Sequence, residues 1–212
     1  MNYLNKKEFK KLHFKAPGTD LSMELPKGHV WVAGDSTNER GHDFVANMPT
    51  EEVFSMPLKT GVNGTVSSTK PLNYGGTLIE NFSLTFEEGR IVDFKAEKGY
   101  ETLKRLIETD EGSHYLGEIA LVPDDSPISN SDIIFFNTLF DENASCHFAI
   151  GTAYPSCIEG GNKLNKDELE KKGANVSLTH VDFMIGSPEM NINGETEDGE
   201  ITPIFKDGNW AI

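Results

Sequence analysis

His180 and Asp182 stand two apart in Thr179-His180-Val181-Asp182-Phe183, where Val176, Leu178, Val181, Phe183 and Ile185 are apolar or β-branched and Gly186-Ser187-Pro188 ends the run. Such a stretch predicts a β-strand, on which residues two apart leave from the same face. An imidazole beside a carboxylate can hold one divalent ion, and the second carboxylate oxygen can reach another. A histidine simply hydrogen-bonded to its neighbour has the same pattern, so this stretch alone leaves both open. Glu118 raises a related question inside Leu116-Gly117-Glu118-Ile119-Ala120-Leu121-Val122. An ionised carboxylate in so apolar a run is costly to bury without a cation or a hydrogen-bonded partner. A metal and a salt bridge at a sheet edge would each meet that need.

A hydrolytic two-metal site needs several oxygen and nitrogen ligands, with a carboxylate bridging ions about 3.5–4 Å apart. The candidates are Glu52, Glu118, Glu142, His147, His180 and Asp182, drawn from separate segments. Carboxylates and imidazoles without thiolates suit Zn²⁺, Co²⁺ or Mn²⁺ and argue against a structural zinc. Locally, Glu51 and Glu52 have a plainer explanation: Thr50 before two acids resembles a helix N-cap, with the acids at the positive end of the dipole. His13 and His29 have no acidic or histidine partner at ligand spacing and read as structural or surface residues.

The elements that must position these residues are mostly strands. Alternation at Leu21, Met23 and Leu25 predicts one, and residues 29–34 another after the Pro26-Lys27-Gly28 turn. Residues 35–48 read as loop with a short strand from Phe44 to Met48. Residues 64–71, 76–79, 82–86 and 91–96 predict an antiparallel meander with a hairpin turn at Glu87 to Arg90. Helical spacing of Tyr100, Leu103, Leu106 and Ile107 predicts a helix over 99–111. Residues 133–141 read as a buried strand or a strand plus turn, 142–151 as a helical turn and a short strand, and Lys166 to Lys171 as a short helix. Hairpins around Met190 to Glu195 and Asp207-Gly208 close the chain. The fold class expected is α+β: β-rich, antiparallel or mixed sheets, few helices.

Composition limits the function classes. Acidic residues outnumber basic ones, 34 to 19, for a formal charge of −15, a field that repels phosphate backbones and argues against nucleic acid. Hydrophobic content of 37% supports a sizeable core, yet no run of eighteen apolar residues exists to span a membrane. The opening Met1 to Lys7 has no apolar stretch of a signal peptide, and two cysteines make no disulfide framework. A cytoplasmic protein is expected.

Longer motifs carry a family resemblance. Met48-Pro49-Thr50-Glu51-Glu52-Val53-Phe54, Gly64-Thr65-Val66, Lys70-Pro71-Leu72, Gly76-Thr77-Leu78-Ile79-Glu80, Glu97-Lys98-Gly99 and Glu108-Thr109-Asp110-Glu111-Gly112 resemble the M29 metallo-aminopeptidases. So do Leu116-Gly117-Glu118, residues 137–144 and His180-Val181-Asp182-Phe183-Met184, with agreement from about Phe14 to Trp210. The resemblance implies metal ligands at Glu52, Glu118, His147, His180 and Asp182, with Glu142 in the same pocket as a sixth. It implies an active-site tyrosine at Tyr154, two divalent ions and short peptide substrates, with Glu52 or another pocket acid as general base. His42 and His114 match no ligand position.

Members of that family are about twice this length, with a further α/β domain ahead of the part present here. Residues 1–212 are therefore expected to be the metal-bearing catalytic domain, compatible with a homodimer. The alternative is a truncated metal-binding domain with an intact site and little turnover, serving assembly or needing the missing domain. An acidic binding protein without metal would leave Glu118 unexplained.

Overall fold

The computed structural model describes residues 1–45 and 51–212. A first helix, α1 (Asn2–Lys7), leads into strands β1 (Lys11–Ala16), β2 (Thr19–Glu24), β3 (Val32–Ala33), β4 (Asp35–Thr37) and β5 (Asp43–Val45). Next come β6 (Val53–Ser55), β7 (Val62–Ser67), β8 (Leu72–Tyr74), β9 (Thr77–Glu87) and β10 (Arg90–Lys98). Helix α2 (Tyr100–Ile107) precedes β11 (Leu116–Leu121), α3 (Thr138–Asp141), β12 (His147–Gly151) and α4 (Lys166–Lys171). The chain closes through β13 (His180–Met184), β14 (Asn191–Glu195), β15 (Ile201–Lys206) and β16 (Asn209–Trp210).

Among the described residues every strand pairing is antiparallel. A nine-stranded sheet runs β10-β9-β7-β2-β1-β14-β15-β16, with β8 beside β9; a five-stranded sheet runs β13-β12-β11-β6-β3; β4 and β5 form a hairpin of their own. The two larger sheets share one core. Phe14 on β1 meets Phe148 on β12 edge-on with ring centres 5.2 Å apart, and Phe82 on β9 meets Phe183 on β13 at 5.5 Å. Leu103, Leu106 and Ile107 of α2 join that core, whereas Tyr100, expected on the same face, is exposed and stacks on Phe94 at 5.1 Å. Every residue of β11 and β12 is buried, so the five-stranded sheet is covered on both faces.

The β-rich α+β class agrees with expectation, and several local elements do not. Residues 133–137 are not a strand: Ile133 and Phe136 are exposed, and Phe136 has a positive φ of 55°. The cause is Asp141, whose carboxylate accepts hydrogen bonds from the backbone N–H of Phe135 and Asn137, while Asn137 caps α3. That local capture of backbone competes with strand pairing. Residues 76–86, read as two strands, are one continuous β9, and the supposed loop after Gly34 contains the β4–β5 hairpin. Glu52 leads into strand β6 rather than a helix, because Val53, Phe54 and Ser55 pair with β11 and Val53 and Phe54 also pair with β3. Ala46 to Met48 and Thr50, part of the expected strand and N-cap, lie outside the described residues.

Asp110 fixes the approach to β13. Its carboxylate accepts from Ser113 N (2.7 Å), Ser177 Oγ (2.8 Å) and Leu178 N (2.6 Å), tying the loop after α2 to the segment before His180. Burial would raise its pKa, but the bonds from Leu178, Ser177 and Ser113 outweigh that and hold it below the usual value. A depressed carboxylate stabilises the fold above its unfolded pKa, near 3.9, and loses that contribution as pH falls through the folded value. Asp110→Ala is expected to cost about 1–3 kcal/mol at neutral pH. In urea unfolding the gap to the parent should narrow on acidification below pH 3.9; a gap indifferent to pH would refute this account.

Candidate metal centre

Register gathers Glu118, His147, His180 and Asp182. Residues paired across antiparallel strands share a face, and Glu118, Ala149 and Asp182 form one such row across β11, β12 and β13. Ala120 pairs with both Phe54 and His147, and Gly151 pairs with His180, so all of these side chains leave on the face turned away from the shared core. Ala120, Ala149 and Gly151 are small, which leaves space for the longer side chains to converge over them. Leu116 pairs with Ile150 on the core side, and an irregularity between Leu116 and Glu118 shifts the register. That bulge turns Glu118 to the opposite face, which simple alternation would have denied it. Gly117 permits it: a Cβ there would lie 2.3 Å from the carbonyl oxygens of both Gly151 and Thr152.

Glu118 stands between the two imidazoles. Its Oε1 is 3.6 Å from His147 Nε2 and its Oε2 is 3.3 Å from His180 Nε2. Glu52 Oε1 lies 3.3 Å from His147 Nε2, and Asp182 Oδ1 lies 3.5 Å from His180 Nε2. Nδ1 of His147 donates to Ser145 O at 3.0 Å and Nδ1 of His180 to Thr152 O at 2.8 Å, which directs each Nε2 at the carboxylates. Two groups result, Glu52–Glu118–His147 and Glu118–His180–Asp182, each with its donor atoms within 4.8 Å of one another and both using Glu118.

A cavity of about 270 Å³ opens over this cluster, lined also by Glu142, Tyr154, Phe54, Leu139, Ala33, Gly34 and Ser36. The Tyr154 ring packs against His180 at 4.6 Å and against Phe54 at 6.0 Å. Thus the six candidate ligands and Tyr154 meet at one place. The other four histidines lie elsewhere. His13, expected to lack an acidic partner, meets Glu195 at 2.7 Å through the β1–β14 pairing, and His29 bonds Pro26 O. The wall residues Phe54, Leu139 and Ser36 were not foreseen, since nothing in their types marks them. Gly117 did carry a signal, an isolated glycine inside a strand pattern.

Four carboxylates face two imidazoles here, so even with both rings protonated and all acids ionised the cluster would hold a charge of −2. Burial opposes charge on His180, yet the neighbouring carboxylates Asp182 and Glu118 hold its pKa at about 10. His147 is likewise held well above the usual range against its burial, by Glu118 and Glu52. Burial, then the charge of Asp182, pushes Glu142 up to about 8, while the neighbouring His180 keeps Asp182 low despite its burial. Without cations, this cluster offsets its negative charge by holding protons. Glu118 Oε2, His147 Nε2 and Asp182 Oδ1 are buried without a hydrogen bond. Buried polar atoms are seldom left so; as ligand atoms of a divalent ion they would be satisfied. An all-oxygen and imidazole donor set fits such an ion.

A family model described as thermophilic metalloprotease (M29) matches residues 1–210. Aminopeptidase AmpS of Bacillus subtilis (strain 168) is 64% identical over 212 residues, covering 100% of this chain and 52% of that protein. The solved structure of wild-type AmpT from Thermus thermophilus superposes with a TM-score of 0.94 at 48% identity, covering 100% of this chain and 52% of that one. A 2,5-dihydroxypyridine dioxygenase from Pseudomonas putida KT2440 shares the fold alone, with a TM-score of 0.64 at 15% identity over 97% of this chain. The chain spans about half the length of the curated relatives it matches.

Binding of a divalent ion to the folded state alone raises stability by about 2.7 kcal/mol at a hundredfold excess over Kd. For a chain of this size, that amounts to a rise in Tm of about 5–10 °C when Zn²⁺, Co²⁺ or Mn²⁺ is returned after chelation. Glu118→Gln, which keeps the side-chain shape and removes the charge, is expected to abolish most of the rise. An unchanged response in that variant would show that the ion binds elsewhere.

Proposed function

Because this chain belongs to the M29 family of thermophilic metalloproteases, we propose that residues 1–212 are the catalytic domain of a metal-dependent aminopeptidase. Its substrates would be short peptides with a free N-terminus. The observation that carries this reading is the buried Glu118 carboxylate with one oxygen toward each of two imidazoles. Glu52, Glu118 and His147 would hold one ion, and Glu118, His180 and Asp182 a second, with Glu142 beside both. Zn²⁺, Co²⁺ and Mn²⁺ all suit these donors. When bound, the ions would supply an activated water, polarisation of the scissile carbonyl and a hold on the substrate's amino group.

The chain's own residues do the rest. Glu52 takes the proton from the attacking water as general base, within reach of the His147 imidazole. Burial, followed by the nearby carboxylates Glu118 and Asp182, pushes the Tyr154 pKa above its usual value, so its hydroxyl keeps its proton. It donates a hydrogen bond to the oxygen that gains charge as the carbonyl is attacked. Phe54 and Leu139 form an apolar wall against the substrate's first side chain and limit water around the reacting groups.

A second reading rests on the coverage of about half of each relative: an intact metal site whose turnover needs the rest of such a protein. Hydrolysis of an aminoacyl chromogenic substrate by the chelated and then metal-loaded chain separates the two. Activity restored by metal supports the first reading, and two bound equivalents without turnover support the second. In the first case Tyr154→Phe is expected to lower kcat about 100-fold with bound metal unchanged. An unimpaired kcat would remove Tyr154 from the chemistry.

A further inference from the structure

Asn175 lies between β12 and β13, is buried to 1% exposure, and belongs to no ligand group. Its side-chain Nδ2 donates to Gly151 O at 2.6 Å and to Gly112 O at 2.7 Å, with Tyr115 O at 3.4 Å. With carbonyl oxygens on that side, only the NH₂ end can face them, which fixes the amide's orientation. Its Oδ1 is buried without a hydrogen bond. That cost, about 1–3 kcal/mol for a buried unsatisfied group, is offset only by what its two N–H groups hold.

What those groups hold is the exit from β12. The Asn175 carbonyl also accepts from Ala153 N at 2.9 Å, so Asn175 grips the chain on both sides of Thr152. Thr152 N donates to Thr179 O at 2.8 Å, and Thr152 O accepts from Nδ1 of His180, also at 2.8 Å. From the other side, Gly117 lets the Gly151 and Thr152 carbonyls come close, where a Cβ would stand 2.3 Å from each. The peptide unit that orients His180 is therefore bonded at its N–H by the Asn175 main-chain carbonyl and given room at its oxygen by Gly117, while the Asn175 side chain fixes the preceding peptide through Gly151 O. His147, by contrast, takes its orientation from Ser145 O, which Asn175 does not touch.

We infer that Asn175 is a positioning residue for His180, its side chain acting through the Gly151 carbonyl on the adjoining Thr152 peptide, and that it serves one of the two ion-binding groups selectively. The inference rests on the two-ion reading above. Asn175→Ala should leave the ion held by Glu52, Glu118 and His147 bound within about twofold. It should weaken the ion held through His180 by about 10-fold, the lower end of the effect of removing a direct partner of a metal-bound histidine, since Asn175 acts one step further out.

Co²⁺ titration of the chelated full chain, followed by its visible absorption, counts and ranks the two equivalents; urea unfolding without metal records the change in stability. His180→Ala, run alongside, should lose one equivalent. Gly117→Ala, which also disturbs the bulge that aims the shared Glu118, should weaken both equivalents, in contrast to the selective loss expected of Asn175→Ala. Asn175→Ser, which keeps one donor, should recover part of it and replaces the alanine variant if that fails to fold. In the Asn175 variants, equal weakening of both equivalents, or a stability loss with both affinities intact, would mean a merely structural role and overturn the inference. If His180→Ala itself keeps both equivalents, the two-ion reading fails, and that failure is distinct from the first.

Discussion

A carboxylate in the middle of a sheet buried on both faces is tolerable only if positive charge or donors meet it. Glu118 sets that condition for the rest of this molecule. Its two oxygens face two imidazoles, and each imidazole faces a further carboxylate, Glu52 or Asp182. The excess of acid over base draws positive charge to the cluster, and under the proposed function divalent ions would take the place of the protons it holds. The remarkably raised state of a single group would be incidental; here His147, His180 and Glu142 are all raised together around one shared carboxylate.

The scaffold bears this concentration of charge by separating its two faces. One face of the five-stranded sheet contributes Ile119, Phe148 and Phe183 to the large core, against Phe14 and Phe82 of the nine-stranded sheet. The other presents the charged side chains over Ala120, Ala149 and Gly151. Around the edges, polar side chains fix the backbone where strand pairing ends: Asp110 holds the entry to β13, Asp141 holds the turn into α3, and Asn175 holds the exit of β12. Each bonds backbone groups that strand pairing leaves unmatched, and each stands within a few residues of a site side chain or on the loop that leads to one.

Local chemistry was readable where a residue's own neighbours decide the outcome. The Glu87 to Arg90 turn formed as its residues indicated, and α4 runs over Lys166–Lys171 with Asn165 as its cap. The His-x-Asp strand and the apolar run around Glu118 also formed. Reading failed where a distant partner or a single polar side chain overrode the pattern. Residues 133–137 look like a core strand by composition, but Asp141 claims their backbone; Glu52 looks like the first turn of a helix, but β11 and β3 claim the residues after it. His13 looked unpartnered because Glu195 is 182 residues away along the chain.

By itself the sequence determined the donor types: carboxylates and imidazoles, no thiolate among them, and an acid placed where burial demands compensation. It also determined the strand period that sends His180 and Asp182 to one face, since that depends only on residues two apart. Which residues share Glu118 was decided by the tertiary structure. A one-residue bulge at Gly117 reverses the face of everything after it, and cross-strand register brings together side chains from β11, β12 and β13. Register and bulges are properties of paired strands, so they exist only once the strands have met.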